Sequence, residues 1–236
     1  MSKNILLLMM GGSGTRFGAD IPKQYIEVDG IPIFAYILKK YGMMKEIDEI
    51  VIVSNKDWLE FANDWAKKCN LKAEYHVVEG GQTRSESVFN GLKEISKFAS
   101  DEDVILIHDA THPYVDVQGT CDVINAVNEH GAATLGVFQY DTVYRMNEEH
   151  FIEAVVPRQK IVVGASPEAF RFKDIYNIYA NSSEEEFEKM TSAGAIAIAH
   201  GIDMKVIQAD VINLKITYQN DMKVFKKLVK TYFFED

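Results

Sequence analysis

The sequence predicts an α/β fold, a mostly parallel sheet covered by helices on both faces. Three observations carry this. Short apolar runs rich in Ile and Val recur along the 236 residues. Segments with helical spacing separate them, and glycine or polar turns close them. The runs are apolar throughout rather than alternating, as strands buried on both faces of a parallel sheet are.

The elements follow in order. Ile5–Met10 (ILLLMM) is the first strand, and Ile33–Met44 has the spacing of a helix. Glu49–Ser54 (EIVIVS) is the second strand and Trp58–Cys69 the second helix. Glu74–Glu79 is a short strand that runs into Gly80 and Gly81. Ser85–Phe98 is helical, and Val104–His108 (VILIH) is a buried strand ending at Asp109. Gln118–Glu129 is a helix and Ala132–Phe138 a strand. Tyr140 to Gly164 breaks the alternation. Asp141–Arg145 and Phe151–Val156 read as a protruding β-hairpin arm, and the residues alone leave open whether it embraces a partner subunit or lies free. The charge run Glu184–Glu186 opens a solvated helix. Asn213–Thr217 (NLKIT) is a last strand and Asp221–Tyr232 a closing helix. No repeat or linker divides the chain, so residues 1–236 read as one domain, with 140–164 as its arm.

Composition narrows the function. A hydrophobic content of 47% and a charged content of 25% are those of a globular protein. The net charge of −10 argues against a nucleic-acid partner, which calls for a basic face. No apolar stretch approaches the roughly 20 residues that span a bilayer, so no membrane partner is expected. Lys3 with Ile5–Met10 is too short for a signal peptide and leads into glycines. Cys69 and Cys121 form no CxxC motif and are expected reduced and buried, which fits a cytoplasmic location.

The chemistry starts after the first strand, in GGSGTRFGADIPKQ. Gly11, Gly12 and Gly14 let backbone N–H groups approach an anion unobstructed. Arg16 can bind phosphate oxygens through two parallel hydrogen bonds, and Lys23 acts as a point charge. The turn is neither a Walker A loop nor a GxGxxG fingerprint, since Lys23 comes too late and Arg16 stands where a glycine is needed. A second phosphate or base contact is expected at Gly80–Ser87 (GGQTRSES), where Ser85 or Ser87 can also cap the next helix. Asp109 ends the most apolar strand, where a carboxylate can help hold a metal that bridges phosphates. His108 and His112 lack the HExxH pattern, and Pro113 opposes a continuing helix, so zinc is not expected and His108 reads as a packed strand-end residue. Arg158 and Lys215 read by themselves as surface cations. No Ser–His–Asp arrangement and no GxSxG is present.

Taken together, GGSGTRFG–PKQY, GGQTRSESVFNGL, HDATHPYV, DTVYR, Arg158, SPEAF and NLKIT resemble the cytidylyltransferases of sugar-alcohol phosphates. That family includes methylerythritol-4-phosphate and ribitol-5-phosphate cytidylyltransferases. The resemblance implies a Rossmann-like, nucleotidyltransferase-like fold, and transfer of CMP from CTP to a polyol phosphate with release of pyrophosphate. It also implies Mg²⁺ or another divalent cation, with Asp109 as its candidate ligand, and a homodimer joined through the 140–164 arm. By the same resemblance Arg16, Lys23 and Lys215 are catalytic. Gly11, Gly12, Ser13, Gly14, Gly81, Ser87 and Ala110 hold CTP. Asp109, His112, Thr142, Arg158, Ser166 and Thr191 face the acceptor, with Arg158 coming from the partner's arm.

The chain departs from the family pattern on the acceptor side. His112 stands where HDAxRP has its arginine, Ser166-Pro167-Glu168 where TPQ is usual, and Thr191-Ser192 where a Thr-Asp pair is usual. The NKDW segment ending at Trp58 and the NLKIT segment look like the ribitol-phosphate enzymes, whereas RSESVFNGL looks like the methylerythritol enzymes. The leading expectation is therefore an alditol phosphate such as ribitol 5-phosphate, giving a CDP-alditol for a cell-surface polymer. The alternative is methylerythritol phosphate, for isoprenoid synthesis. A nucleotide-binding regulatory module without activity is the reading of another class.

Overall fold

The computed structural model describes residues 2–12, 18, 21–189 and 192–234. Its first strand, β1 (Asn4–Met10), shows how the sheet is built. Ile5, Leu7 and Met9 point into one core cluster, and Leu6, Leu8 and Met10 into the other. Successive side chains on a strand face opposite ways, so a run apolar throughout must be covered on both faces. The same division holds in β4 (Glu49–Ser54) and β6 (Val104–Asp109). Each Leu or Ile so buried contributes about 1.5–3 kcal/mol relative to exposure.

The helices supply the covers. On one face lie α1 (Ile33–Met43), α2 (Leu59–Lys68) and α4 (Val117–His130). On the other lie α3 (Arg84–Ile95), α5 (Phe172–Asn181), α6 (Glu184–Lys189) and α7 (Ala193–Ala199). The last helix, α8 (Gln219–Phe234), makes a third cluster with α1 through Tyr36, Met222, Phe225 and Val229. None of these helices is long and apolar enough to cross a membrane.

Four further strands complete the main sheet: β5 (Glu74–Glu79), β7 (Ala132–Phe138), β10 (Val162–Arg171) and β11 (Lys205–Gln208). Before α1, β2 (Glu27–Val28) and β3 (Ile31–Pro32) form a small pair set apart. The central sheet runs β11-β7-β10-β6-β1-β4-β5. Only β10 is antiparallel to its neighbours there; the other pairings are parallel. The predicted hairpin is present as β8 (Val143–Met146) and β9 (Ile152–Val156), paired apart from the main sheet. Tyr144, Met146, Phe151, Ile152 and Val155 on it are exposed.

Two expectations need correction. Asn213–Thr217 is not a strand but irregular chain, and the last strand is β11, which was not anticipated. Ile216 is fully buried in the third cluster and its N–H bonds the Thr111 carbonyl, so the apolar residues of NLKIT are packed without a ladder. Neither Ser85 nor Ser87 caps α3. Thr83 does, accepting the Glu86 N–H at 3.1 Å, while the Glu86 carboxylate accepts the Gln82 N–H at 2.6 Å. The strand β10 was not anticipated either, because Ser166-Pro167 interrupts its apolar pattern. Its register on β7 shifts between Ala165 and Glu168, and a proline is tolerated in a strand at such an irregularity.

Candidate active site

The carboxyl ends of β1, β4, β5 and β6 and the irregular segment carrying Lys215 surround a cleft of about 430 Å³. Ligands of open α/β sheets bind at this edge, where the connections from β1 and β6 leave in opposite directions. The cleft unites seven of the predicted residues: Gly11, Gly12, Lys23, Gly81, Ser87, Asp109 and Lys215. Ala110 is buried beside it, its N–H bonded to the Met9 carbonyl at 2.9 Å. Ser13, Gly14, Arg16 and Thr191 lie outside the described residues.

The PKQY residues hold the glycine turn. Gln24 donates through its amide to the carbonyls of Met10 and Gly12, both at 2.7 Å. The Tyr25 hydroxyl lies 3.0 Å from the Met10 carbonyl and 2.9 Å from the Ser54 hydroxyl, and it accepts the Asn55 N–H. Its ring stacks on Trp58 at 4.5 Å. The ends of β1 and β4 are thereby tied together, and Lys23, between Pro22 and Gln24, is directed to the cleft wall.

The second glycine loop is braced internally. Ser87 is buried, accepts the Gly81 N–H at 3.0 Å and donates to the Thr83 carbonyl at 2.9 Å. A Cβ on Gly81 would sit 2.3 Å from that of Glu86, so this turn requires glycine.

Asp109 is the electrostatic centre. Arg84 donates to its Oδ1 from Nε (3.2 Å) and Nη2 (2.9 Å), and Lys215 Nζ donates to Oδ2 at 2.9 Å. Burial pushes the Asp109 pKa up, but Arg84 and then Lys215 outweigh it and hold the carboxyl well below the usual carboxylate range. Glu168 Oε2 lies 4.0 Å from Arg84 Nη2, and its carboxylate accepts the N–H groups of Ala193 and Gly194, both at 3.1 Å. Burial, opposed by Arg84, leaves the Glu168 pKa raised.

The predicted acceptor residues separate into two groups. His112 and Ser166 meet beside Asp109, with Nδ1 and Oγ 2.8 Å apart. Thr142 and Arg158 are exposed at the base of the hairpin, where the Arg158 guanidinium donates to the Tyr140 carbonyl. Neither belongs to the cleft of its own chain. Burial first, then Lys215 and His108, push the His112 pKa down to about 3 against the pull of Asp109, so the imidazole is neutral.

His108 is the packed strand-end residue expected. Its Nε2 lies 2.8 Å from the His112 carbonyl, which can only accept, so Nε2 carries the proton and Nδ1 accepts from the Tyr41 hydroxyl at 2.9 Å. Both nitrogens are thus engaged by protein groups, which leaves none for a metal. Burial pushes its pKa down to about 4. Between pH 6.5 and 4 the unfolded chain holds a proton here that the folded protein does not, so stability falls on acidification through this window. The loss is about 3 kcal/mol at ~1.4 kcal/mol per pH unit. Urea unfolding at pH 7 and 4.5 should show it, and His108→Gln should reduce the decline; an unchanged decline would contradict the assignment.

Arg84 and Glu168 were not picked out as site residues. Arg84 opens α3 within GGQTRSES, but nothing local indicates that it crosses to Asp109. Among the described residues no group of three or more His, Cys, Asp or Glu side chains is placed to hold a metal ion.

The IspD family, described as 2-C-methyl-D-erythritol 4-phosphate cytidylyltransferase, matches residues 5–231. A 2-C-methyl-D-erythritol 4-phosphate cytidylyltransferase of Clostridium botulinum (strain Langeland / NCTC 10281 / Type F) is 31% identical over 230 residues, covering 98% of this chain and 99% of the relative. One from Clostridium novyi (strain NT) is 31% identical over 231 residues, with 98% of each covered. The crystal structure of 4-diphosphocytidyl-2C-methyl-D-erythritol synthase from Anaerococcus prevotii DSM 20548 superposes with a TM-score of 0.78 at 25% identity, over 97% of this chain and 96% of that one.

Proposed function

Since this chain belongs to the 2-C-methyl-D-erythritol 4-phosphate cytidylyltransferase family, and is a cytidylyltransferase of sugar-alcohol phosphates, we propose that 2-C-methyl-D-erythritol 4-phosphate is its acceptor. The observation that carries this is the end-to-end match to relatives of that name. It displaces ribitol 5-phosphate, the acceptor expected first. The two segments behind that expectation serve other ends: Trp58 of NKDW stacks on Tyr25 under the donor loop, and NLKIT delivers Lys215 to Asp109.

In the proposed reaction an acceptor phosphate oxygen attacks the α-phosphorus of CTP in line. The new P–O bond forms as the bond to the bridging oxygen of pyrophosphate breaks. The attacking group is already a phosphate, so the protein need only position and neutralise. Arg16 and Lys23 take the triphosphate charge and Lys215 the α-phosphate. Backbone groups from Gly11 to Gly14 cradle the phosphates. Gly81, Ser87 and Ala110 enclose the cytidine. Asp109, His112, Ser166 and Thr191 face the acceptor, joined by Thr142 and Arg158 from the arm of a second copy. The exposed apolar residues of β8 and β9 support such a dimer.

Mg²⁺ would supply further neutralisation of the triphosphate. Asp109 is the one carboxylate lining the cleft among the described residues, and its two oxygens already answer Arg84 and Lys215. Magnesium keeps several waters and binds through substrate phosphates, so a single carboxylate suits it.

Pyrophosphate release from CTP, measured with methylerythritol, ribitol and glycerol phosphates in turn, tests the reading. Methylerythritol phosphate should lead in kcat/KM by about 10- to 200-fold or more, the range that one carbon gained or lost in a pocket gives. Preference for ribitol phosphate would restore the alditol reading, and CTP binding without turnover would favour the regulatory module. A monomer in sedimentation of the active protein would remove the arm from this scheme.

A further inference from the structure

Lys215 is carried on chain that belongs to no helix or strand, and its side chain is about half exposed. Two contacts locate it. The Ile216 N–H bonds the Thr111 carbonyl at 2.8 Å, which fixes the backbone, and Asp109 receives the ammonium, which fixes the head. Asp109 is in turn oriented from its other side. Arg84 presents Nε and Nη2 to the single oxygen Oδ1, leaving Oδ2 turned to Lys215. Arg84 is itself placed by its position at the start of α3 and by Glu168, which the N–H groups of Ala193 and Gly194 anchor. Gly194 is required for that anchor, because a Cβ there would lie 2.7 Å from Glu168 Oε1.

The charges therefore alternate along one line: Glu168, Arg84, Asp109, Lys215. We infer that Arg84 is a positioning residue for cytidylyl transfer, acting on the α-phosphate cation Lys215 through Asp109. The inference rests on the cytidylyltransferase reading but not on which polyol phosphate is the acceptor. Arg84 Nη1 is buried and makes no hydrogen bond, so the guanidinium is not arranged to satisfy all its donors; it is arranged to aim one edge at Asp109. Lysine cannot take its place, because an ammonium is a point charge and lacks the planar fork. Without Arg84 the carboxylates of Asp109 and Glu168 lose the cation they share, and Asp109 turns from its contact with Lys215.

The test is a double-mutant cycle of Arg84→Met and Lys215→Met, with kcat and the KM for CTP measured using whichever acceptor turns over fastest. Arg84→Met should lower kcat by about 30-fold and change the KM for CTP by less than about 3-fold, since an interaction made only in the transition state appears in kcat. In the Lys215→Met background, adding Arg84→Met should cost less than about 3-fold, because the group it positions is gone. The same loss in both backgrounds would assign Arg84 a merely structural role and overturn the inference, as would a change confined to KM. If Arg84→Met does not fold, Arg84→Lys replaces it in the cycle, with the same pattern expected. A crystal structure of the folded variant gives a readout independent of turnover. Asp109 and Lys215 found at their original 2.9 Å contact would refute the inference even if no acceptor proved active. A wild-type protein without turnover counts against the functional reading alone.

Discussion

Lys215→Met is expected to lower kcat by about 10²- to 10³-fold, the range for removing one preorganised donor from a transition state that develops charge. The methionine keeps most of the aliphatic stem and removes only the ammonium, so the buried Ile216 beside it keeps its packing. The ammonium lines the cleft, on the carboxylate at its wall. Its proposed partner, the α-phosphate, gains charge as the acceptor oxygen arrives. In the proposed scheme CTP is also held by Lys23 and the glycine turn, which line the same cleft, so its affinity should fall far less than turnover. Steady-state pyrophosphate release together with calorimetric CTP binding separates the two. Equal losses in both would make Lys215 a binding residue, and unchanged turnover would remove it from the mechanism.

Asp109→Ala should destabilise the fold by about 3 kcal/mol, the lower end of the range for breaking a buried charge pair. The lower end applies because Lys215 is half exposed and recovers solvation, and Arg84 keeps Glu168 within 4.0 Å. The Asp109 pKa lies below its unfolded value of about 3.9, so its stabilising effect is fully present above that pH and is lost only as pH falls toward the folded value. The deficit of the variant should therefore be the same at pH 6 and pH 8. Urea unfolding at both pH values measures it; a deficit below about 0.5 kcal/mol, the usual effect of a surface substitution, would show that the pair contributes nothing. Activity should fall as well, since Lys215 and Arg84 lose the group they share.

Much of this was legible along the chain. Glu49–Ser54 and Ala132–Phe138 are strands at the predicted bounds. A run such as the EIVIVS of the former has few alternatives to a doubly covered strand. This part of the cleft lining was legible too, since Gly11, Gly12, Lys23 and Gln24 lie within one short segment. The expectation for Asn213–Thr217 failed on the same evidence that served elsewhere. Apolar residues there pack against α8 and α1, and burial by helices looks the same in sequence as burial in a sheet. The strand β10 escaped notice because a proline and a register shift interrupt its pattern.

The sequence determined the layered α/β fold, the glycines and Lys23 that line the cleft, and the family, all of which follow from residues close to one another or from their order. Which cation meets which carboxylate was decided only by tertiary structure. Arg84 reaches Asp109 across 25 positions and Lys215 reaches it across 106, and Glu168 comes in from the one antiparallel strand of the main sheet. No local preference encodes such meetings. They arise when separate segments pack at one sheet edge, where low dielectric strengthens each pairing and makes an unpaired charge costly.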